Sequence, residues 1–556
     1  MFTAKQTNLL GNSNKKTSAN AFISSGMKTS AKTLSGNGAL KYSTTGNDFV
    51  DQFGKIGSYK EPRSYSDIAS DMSILYSINA LMSIMFIIYL RIITRAVVFF
   101  TGDKLPVQRG AGLKHESILR MIWLHVNHPD QFWKNIHVFI SAGSWKDIFY
   151  MLSYDLQYNG WNGRVLDWNK LGQLILAGLE NPQHCDMIKK YLPQIKSNSQ
   201  CTTLESQADN IIGKWLCSLL FGGKTTEDNY KNYRLYRKLK VSGKAHVWQQ
   251  LISKRQYLKI NFDTVHGRAL AILVSSHFIT KCGLEEKYEK WISSKPIAKY
   301  TGYVHELFQK LPSKKYQIDT LNAQFMSLVE TAKKGVKTNT SMIVVRDTSG
   351  SMSSTATGTK MRCYDIGKAL ALFFSYMLPD GFFANTWIEF NSNAKMHQWK
   401  GSTPYEKWHN DRSSVVGSTD FMSVIRLFCK LRLQGISESE FPTGIICISD
   451  SEFNPASLGK TNVESARELL AKYFSPEYTK NFKIVLWNLQ SSYYGKGTGE
   501  KFETYGNVEN VYYFSGYDAS VMAFLTGTEK QKSEPKNAEE LFNAAMDQEL
   551  LRMVEL

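Results

Sequence analysis

The sequence predicts two architectures in one chain. An all-α solenoid of short paired helices spans residues 63–337, and a doubly wound, mainly parallel α/β domain spans 338–556. Three observations predict this. Apolar residues recur at three- and four-residue spacing almost throughout 63–312, the mark of helices with one buried face. After Thr340 the period changes, and short continuous apolar runs alternate with helical stretches, as strands covered on both sides of a parallel sheet require. Charge divides at the same place. From Asn339 onward there are 22 Lys and Arg against 25 Asp and Glu, whereas the remainder holds 45 against 24, so the net +18 of the chain is −3 on one part and +21 on the other. A polyanionic partner is therefore expected for the first part only.

Residues 1–62 come first. They are rich in Ser, Thr, Asn and Gly, with 8 Lys and 2 Asp in the first 60 and no sustained period. This composition reads as a flexible basic tail. No apolar core of a secretory signal is present near the N-terminus, and the seven cysteines are irregularly spaced with no Cys-x-x-Cys. Both features point to a reducing, cytoplasmic setting. The apolar stretch 74–90 holds 17 residues interrupted by Ser77, Asn79 and Ser83. A membrane span needs about 20, so a buried core helix is expected and no membrane contact.

Helices are then expected at 114–126, 130–140, 171–179, 204–220, 244–253 and 265–278, with turns at His128-Pro129, Asn159-Gly160 and Asn181-Pro182 and no convincing β-alternation. One more helix is expected at 318–332, in the Lys-rich connection. The helix after Gly143 is the most legible. Ser144 reads as its N-cap and Asp147 as a short-armed capping-box partner, while Ile148, Met151, Leu152 and Leu156 form its buried stripe. In the second part, strands are expected at 341–346, 383–390, 444–449, 484–489 and 511–514, with helices at 362–378, 418–433 and 463–474 and two more before the end. Ligands of such sheets bind beyond the carboxyl ends of the strands.

The loops at those ends carry the strongest chemical signal. Asp347, Ser349 and Ser351 form Asp-x-Ser-x-Ser directly after the first strand, with Gly350 offering a tight turn. One carboxylate and two hydroxyls gathered there suit a hard divalent cation. The segment Gly417-Ser418-Thr419-Asp420 offers the Thr419 hydroxyl, and Ser449-Asp450 offers a second carboxylate at a strand end. These three segments, in this order, resemble the metal-ion-dependent adhesion site of von Willebrand factor A domains. The resemblance implies that Ser349 and Ser351 ligate Mg²⁺ or Mn²⁺ through hydroxyls, that Asp347 and Asp450 act through bound water, and that Thr419 ligates when a carboxylate of a protein partner completes the octahedron.

The helical part has its own resemblance. Tyr89-Leu90-Arg91, Gly143-Ser144-Trp145-Lys146-Asp147-Ile148 and Tyr236-Arg237-Lys238-Leu239, together with the order of domains and the basic charge, resemble the Ro ribonucleoprotein (TROVE-module) family and related bacterial and viral proteins. That resemblance implies a closed ring of HEAT-like repeats followed by a Rossmann-like A domain. It also implies binding of small noncoding or misfolded RNA and of single-stranded RNA ends, by a monomeric protein.

The residues support an RNA surface independently. Residues 230–259 contain Arg234, Arg237, Lys238, Lys240, Lys244, Lys254 and Arg255, with His246, tyrosines and a tryptophan interleaved and no acidic residue. Cations neutralise phosphates, and aromatic or guanidinium faces stack on unpaired bases. Arg91, Arg95, Lys104, Arg109, Lys114 and Arg120 form a second, dispersed cluster. A solvated cationic face is the plain alternative for both. Two other functions compete with RNA binding. One is a metal-dependent interaction or assembly module, viral structural or nucleic-acid packaging, without a specific RNA role. The other is a metal-dependent hydrolase, disfavoured because neither a general base nor a second-metal ligand set accompanies the carboxylates. The glycine-rich 495–499 lacks phosphate-loop spacing and reads as a plain loop.

Overall fold

The computed structural model describes residues 32–34, 38–56, 62–160, 162–222, 226–243, 247–334, 341–356, 359–413, 415, 417–450, 453–456, 459–489, 504–518, 523 and 534–556. Lys244, His246, most of residues 1–37 and the 495–499 loop lie outside them. The chain divides into two compact units, one holding 63–261 and 548–556, the other 19–62 and 262–547. The three segments read from the sequence do not follow these units, because compactness is decided by which surfaces pack and not by where periodicity changes.

The first unit is helical. Its helices include Tyr65–Ile78, Ala80–Arg91, Lys114–Asn127, Pro129–Ala142, Trp145–Asn159, Trp168–Glu180, Leu204–Phe221 and Thr226–Ser242. The apolar stretch read as one core helix is two. Asn79 breaks it in extended conformation, and its side chain accepts from the Met82 amide to cap the second helix. No helix among the described residues is long and apolar enough to cross a membrane. One hairpin, Arg95–Val98 with Lys104–Gln108, is antiparallel and was not expected. Its strands are short, one carries Pro106, and their exposed residues interrupt the alternation that would reveal a sheet. Gln548 exchanges hydrogen bonds with Arg109, accepting from its amide at 2.7 Å and donating to its carbonyl at 2.8 Å. Asn135 does the same with Glu555. The last residues of the chain thus belong to this helical unit.

Two of the six cations of the dispersed cluster, Arg91 and Arg120, are internal. Arg91 is buried and grips Asp147 bidentately, Nε to Oδ2 at 2.7 Å and Nη2 to Oδ1 at 3.0 Å. Asp147 Oδ2 also accepts the Ser144 amide at 3.0 Å, so the expected cap partner spends most of its charge on an arginine 56 residues away. Arg120 is fully buried beside Glu116 and Asp71. Asp147→Ala is expected to destabilise the unit by about 3–5 kcal/mol, because it strands a buried guanidinium. Equilibrium urea unfolding measures this, and a loss below about 1 kcal/mol would show that Arg91 finds water instead.

The second unit is built on a six-stranded sheet: β1 (Met342–Asp347), β2 (Thr386–Phe390), β3 (Lys395–Gln398), β4 (Gly444–Ser449), β5 (Lys483–Asn488) and β6 (Val511–Ser515). Its order is β6-β5-β4-β1-β2-β3. All pairs are parallel except β2 with β3. Strand β3 escaped the sequence reading because its four residues are half-buried or exposed. Helix Cys363–Ser375 is buried on nearly every side, all of its residues but Asp365 being buried. Helices Gly267–Ser275, Glu285–Ser293 and Lys315–Lys333 belong to this unit too.

Part of the expected flexible tail is also here. The Tyr42 amide donates to the Thr504 carbonyl at 2.8 Å. Helix Asp48–Lys55, capped by Asn47, inserts Phe49 and Phe53 against Phe542 and sets Phe53 beside Phe514. Two aromatic residues in one short helix were outweighed in the sequence by the polar residues around them; in the fold both are buried together with Val50, and the capped helix supplies its own hydrogen bonds.

Candidate metal centre and nucleic-acid interface

The topology brings the loops that carry the predicted ligands to one end of the sheet. Strands β1 and β4 are neighbours, but the chain leaves them in opposite lateral directions, so the sheet's switch point lies between their carboxyl ends. Asp347 ends β1 and Asp450 follows β4. Register places Arg346 opposite Ile448, and one residue on, the Ser449 hydroxyl donates to Asp347 Oδ2 at 2.5 Å. The Ser349 amide donates to Asp347 Oδ1 at 2.8 Å. The Ser349 and Ser351 hydroxyls are 3.1 Å apart.

The Thr419 loop is tied to both of these. The Asp420 amide donates to the Asn391 carbonyl at 2.9 Å, and the Asn454 amide to the Thr419 carbonyl at 2.8 Å. Asn391 Nδ2 in turn donates to Thr348 Oγ1 at 3.1 Å. Gly417 turns this loop with φ +84, where a Cβ would meet Ser392 Oγ at 2.8 Å. Gly350, which the sequence suggested for the sharp turn, has no such requirement, since nothing lies within 4 Å of a Cβ there. The turn is a short 3₁₀ segment, Gly350–Ser353.

Asp347, Ser349, Thr419 and Asp450 are buried and Ser351 is half-buried. Burial pushes the Asp347 carboxyl up to about 6 against the opposing hydrogen bonds from Ser449 and Ser349. The Cys363 thiol is pushed up to about 12 by burial, with the Asp450 and Asp347 charges adding to it. This is a buried, negatively charged, oxygen-rich spot. Among the described residues no group of three or more His, Cys, Asp and Glu side chains is placed to hold a metal, so a cation here would rest on a mixed set of two carboxylates and three hydroxyls. That donor chemistry fits Mg²⁺ or Mn²⁺ and not zinc.

Beneath the site, the Arg346 guanidinium is buried between the Tyr364 and Trp387 rings, 4.1 and 4.8 Å from their centroids. It bonds Asp411 at 3.0 Å. Burial opposes the Asp411 charge, but Arg346 and Lys368 hold that carboxyl down at about 2.

The predicted RNA residues separate into three groups. On helix Thr226–Ser242, Asn232 and Tyr236 are buried, while Lys231, Arg234, Arg237 and Lys238 are exposed. Those four have no acidic partner among the described residues, and Arg234 lies 5.2 Å from the ring of Tyr230, itself 66% exposed. Lys254 and Arg255 are exposed in the turn after Val247–Ser253. Lys240 differs. It is partly buried, and its Nζ donates to the Lys190 and Leu192 carbonyls, so it ties two helices together.

The sequence reading followed only the buried stripe of helix Trp145–Asn159 and missed the other. Lys146, Tyr150, Tyr154 and Tyr158 recur every four residues along one face. Tyr154 and Tyr158 stack at 4.1 Å, and Lys146 lies 4.9 Å from the Tyr150 ring and 5.9 Å from Tyr191. Burial raises the Tyr150 phenol, but hydrogen bonds from Lys114 and Lys146 hold it below its ordinary value. Glu205 and Asp209 flank the Lys146 end. The four-residue spacing was the available signal.

Residues 341–552 match the family model described as a domain of unknown function (DUF7788). The structure resembles the Ro (Rsr) protein of Deinococcus radiodurans at 11% sequence identity, with a TM-score of 0.35 over 90% of this chain and 99% of that one. No curated protein matches the chain by sequence.

Proposed function

We propose that this chain is a non-catalytic RNA-binding protein whose α/β unit also presents a divalent cation to a carboxylate of a protein partner. The observation that carries the RNA reading is the exposed face of Lys231, Arg234, Arg237 and Lys238, none of which is ion-paired among the described residues, on the part of the chain that holds all the excess positive charge; Glu227 and Asp228 are confined to the first turn of that helix. Charge of this kind contacts phosphates. Tyr230, exposed on the same helix, supplies a stacking surface for an unpaired base, which favours single-stranded ends over a uniform duplex. At the sheet switch point, Ser349, Ser351 and Thr419 would hold Mg²⁺ or Mn²⁺ directly, with Asp347 and Asp450 acting through water. When bound, the ion would supply a position for an acidic oxygen, and the protein would hold it with the buried oxygens of Asp347, Ser349, Thr419 and Asp450 and the half-buried Ser351.

Filter binding of the full chain to a small structured RNA with a single-stranded end, to duplex DNA and to heparin tests the reading. RNA is expected to bind at least about tenfold tighter than either competitor at the same salt concentration. Equal affinity for all three would reduce the surface to plain electrostatics and favour the assembly-module alternative.

A further inference from the structure

A cleft of about 700 Å³ opens in the second unit, between helix Gly267–Ser275, the segment 300–313 and helix Lys315–Lys333. It is remote in sequence from the Thr419 and Asp450 loops, and the RNA reading does not use it. Its floor is apolar, with Ala271, Val274, Leu307 and Leu321 among its walls. Two large aliphatic side chains stand open at it, Ile272 at 65% and Leu311 at 49% exposure. Exposed aliphatics facing a cleft are a cost in water that a ligand would relieve.

The polar groups are arranged asymmetrically. Glu306, the one carboxylate among the lining residues described, is already occupied. Arg268 grips it bidentately at 2.8 and 2.6 Å, and it accepts the Tyr300 hydroxyl at 3.0 Å and the Tyr303 amide at 3.1 Å. Gln317 and Gln324 are buried and spent on the backbone, donating to the Val274 and Gly267 carbonyls at 3.1 Å each. Two cations remain. Lys310 donates to the Ser275 carbonyl at 2.6 Å, which uses one of its three protons. Lys360 is exposed and has no acidic partner among the described residues. The lining therefore combines an apolar interior, a neutralised Arg–Glu pair and two uncompensated ammonium groups.

We infer that this cleft binds a small organic anion with an apolar body, the body against Ala271, Ile272 and Leu307 and the anionic group at Lys310 and Lys360. The volume lies within the range of sites for drug-sized ligands.

Anilinonaphthalene sulfonate is the probe, titrated into the full chain by fluorescence, with its uncharged parent phenylnaphthylamine as the comparison. Saturable binding at one site is expected, at least about tenfold tighter for the sulfonate than for the uncharged parent. Lys360→Glu lies on the surface and should leave the fold intact. It is expected to weaken the sulfonate about tenfold and leave the parent unchanged. Ala271→Trp fills the cleft and is expected to abolish binding of both, with circular dichroism reporting whether that variant folds. Equal binding of charged and uncharged probes, or sulfonate binding that survives Lys360→Glu unchanged, would overturn the inference.

Discussion

Asp347→Ala is expected to abolish saturable Mn²⁺ binding, followed by the electron paramagnetic resonance signal of the free ion as it is titrated with the full chain. The reason lies in where Asp347 sits. It closes β1 at the switch point, and its two oxygens orient the Ser349 amide and the Ser449 hydroxyl. Removing the carboxylate takes away one of the two negative charges that would face the ion. It also frees the loop that presents Ser349 and Ser351. Affinity should fall by more than about tenfold, or about 1.4 kcal/mol. The variant also removes the hydrogen bond from the buried Ser449 hydroxyl, at a stability cost of about 1 kcal/mol. Asp347→Asn therefore accompanies it, because it keeps the volume and an acceptor oxygen while removing the charge. Both variants should lose the ion, and Asp365→Asn, which removes a half-buried charge paired with Arg362 outside the predicted ligand set, should not. Undiminished Mn²⁺ binding by Asp347→Asn would move any metal site elsewhere.

Reversing charge at Arg234, Arg237 and Lys238 together, each to Glu, is expected to lower RNA affinity at least about a hundredfold at low salt. Three phosphate contacts are lost and three repulsions appear. The salt dependence is the sharper reading. Each neutralised phosphate contributes roughly 0.7 to 0.9 to the slope of log affinity against log salt, so the slope should flatten by about 2 to 3. These side chains are exposed on a helix whose buried face is held by Asn232 and by Tyr236, which bonds the Pro193 carbonyl at 3.1 Å. The fold should therefore tolerate the change. Lys472→Glu, an exposed cation of the α/β unit, serves as the control and should have little effect. An unchanged slope in the triple variant would exclude this face as the RNA contact.

The two sites were legible to different degrees. The positions of Asp347, Ser349, Ser351 and Asp450 were readable because a parallel sheet presents its strand ends by rule and an apolar run precedes each of these loops, whereas Thr419 stands in the loop before helix Met422–Leu433 and was read as a ligand only through the resemblance. The cationic residues were not readable one by one. Arg91, Arg120 and Lys240 look like Arg234 and Arg237 in composition, but the first two are buried in ion pairs and the third ties helices together. A charge count cannot tell a paired cation from a free one, since the partner, as with Asp147 for Arg91, lies far along the chain. The face of Tyr150, Tyr154 and Tyr158 was overlooked for a related reason: its periodicity is the same as that of the buried stripe beside it.

Local chemistry was enough to establish a helical first part and an α/β second part, and to point to the oxygen-rich loops after β1 and β4, because periodicity and turn residues act over a few positions. Only packing in three dimensions decided that residues 48–55 join the sheet unit, that residues 548–556 join the helical one, and which cations stay exposed. Those outcomes depend on which surfaces meet across hundreds of residues, and burial free energy is a property of the meeting surfaces, carried by neither segment alone.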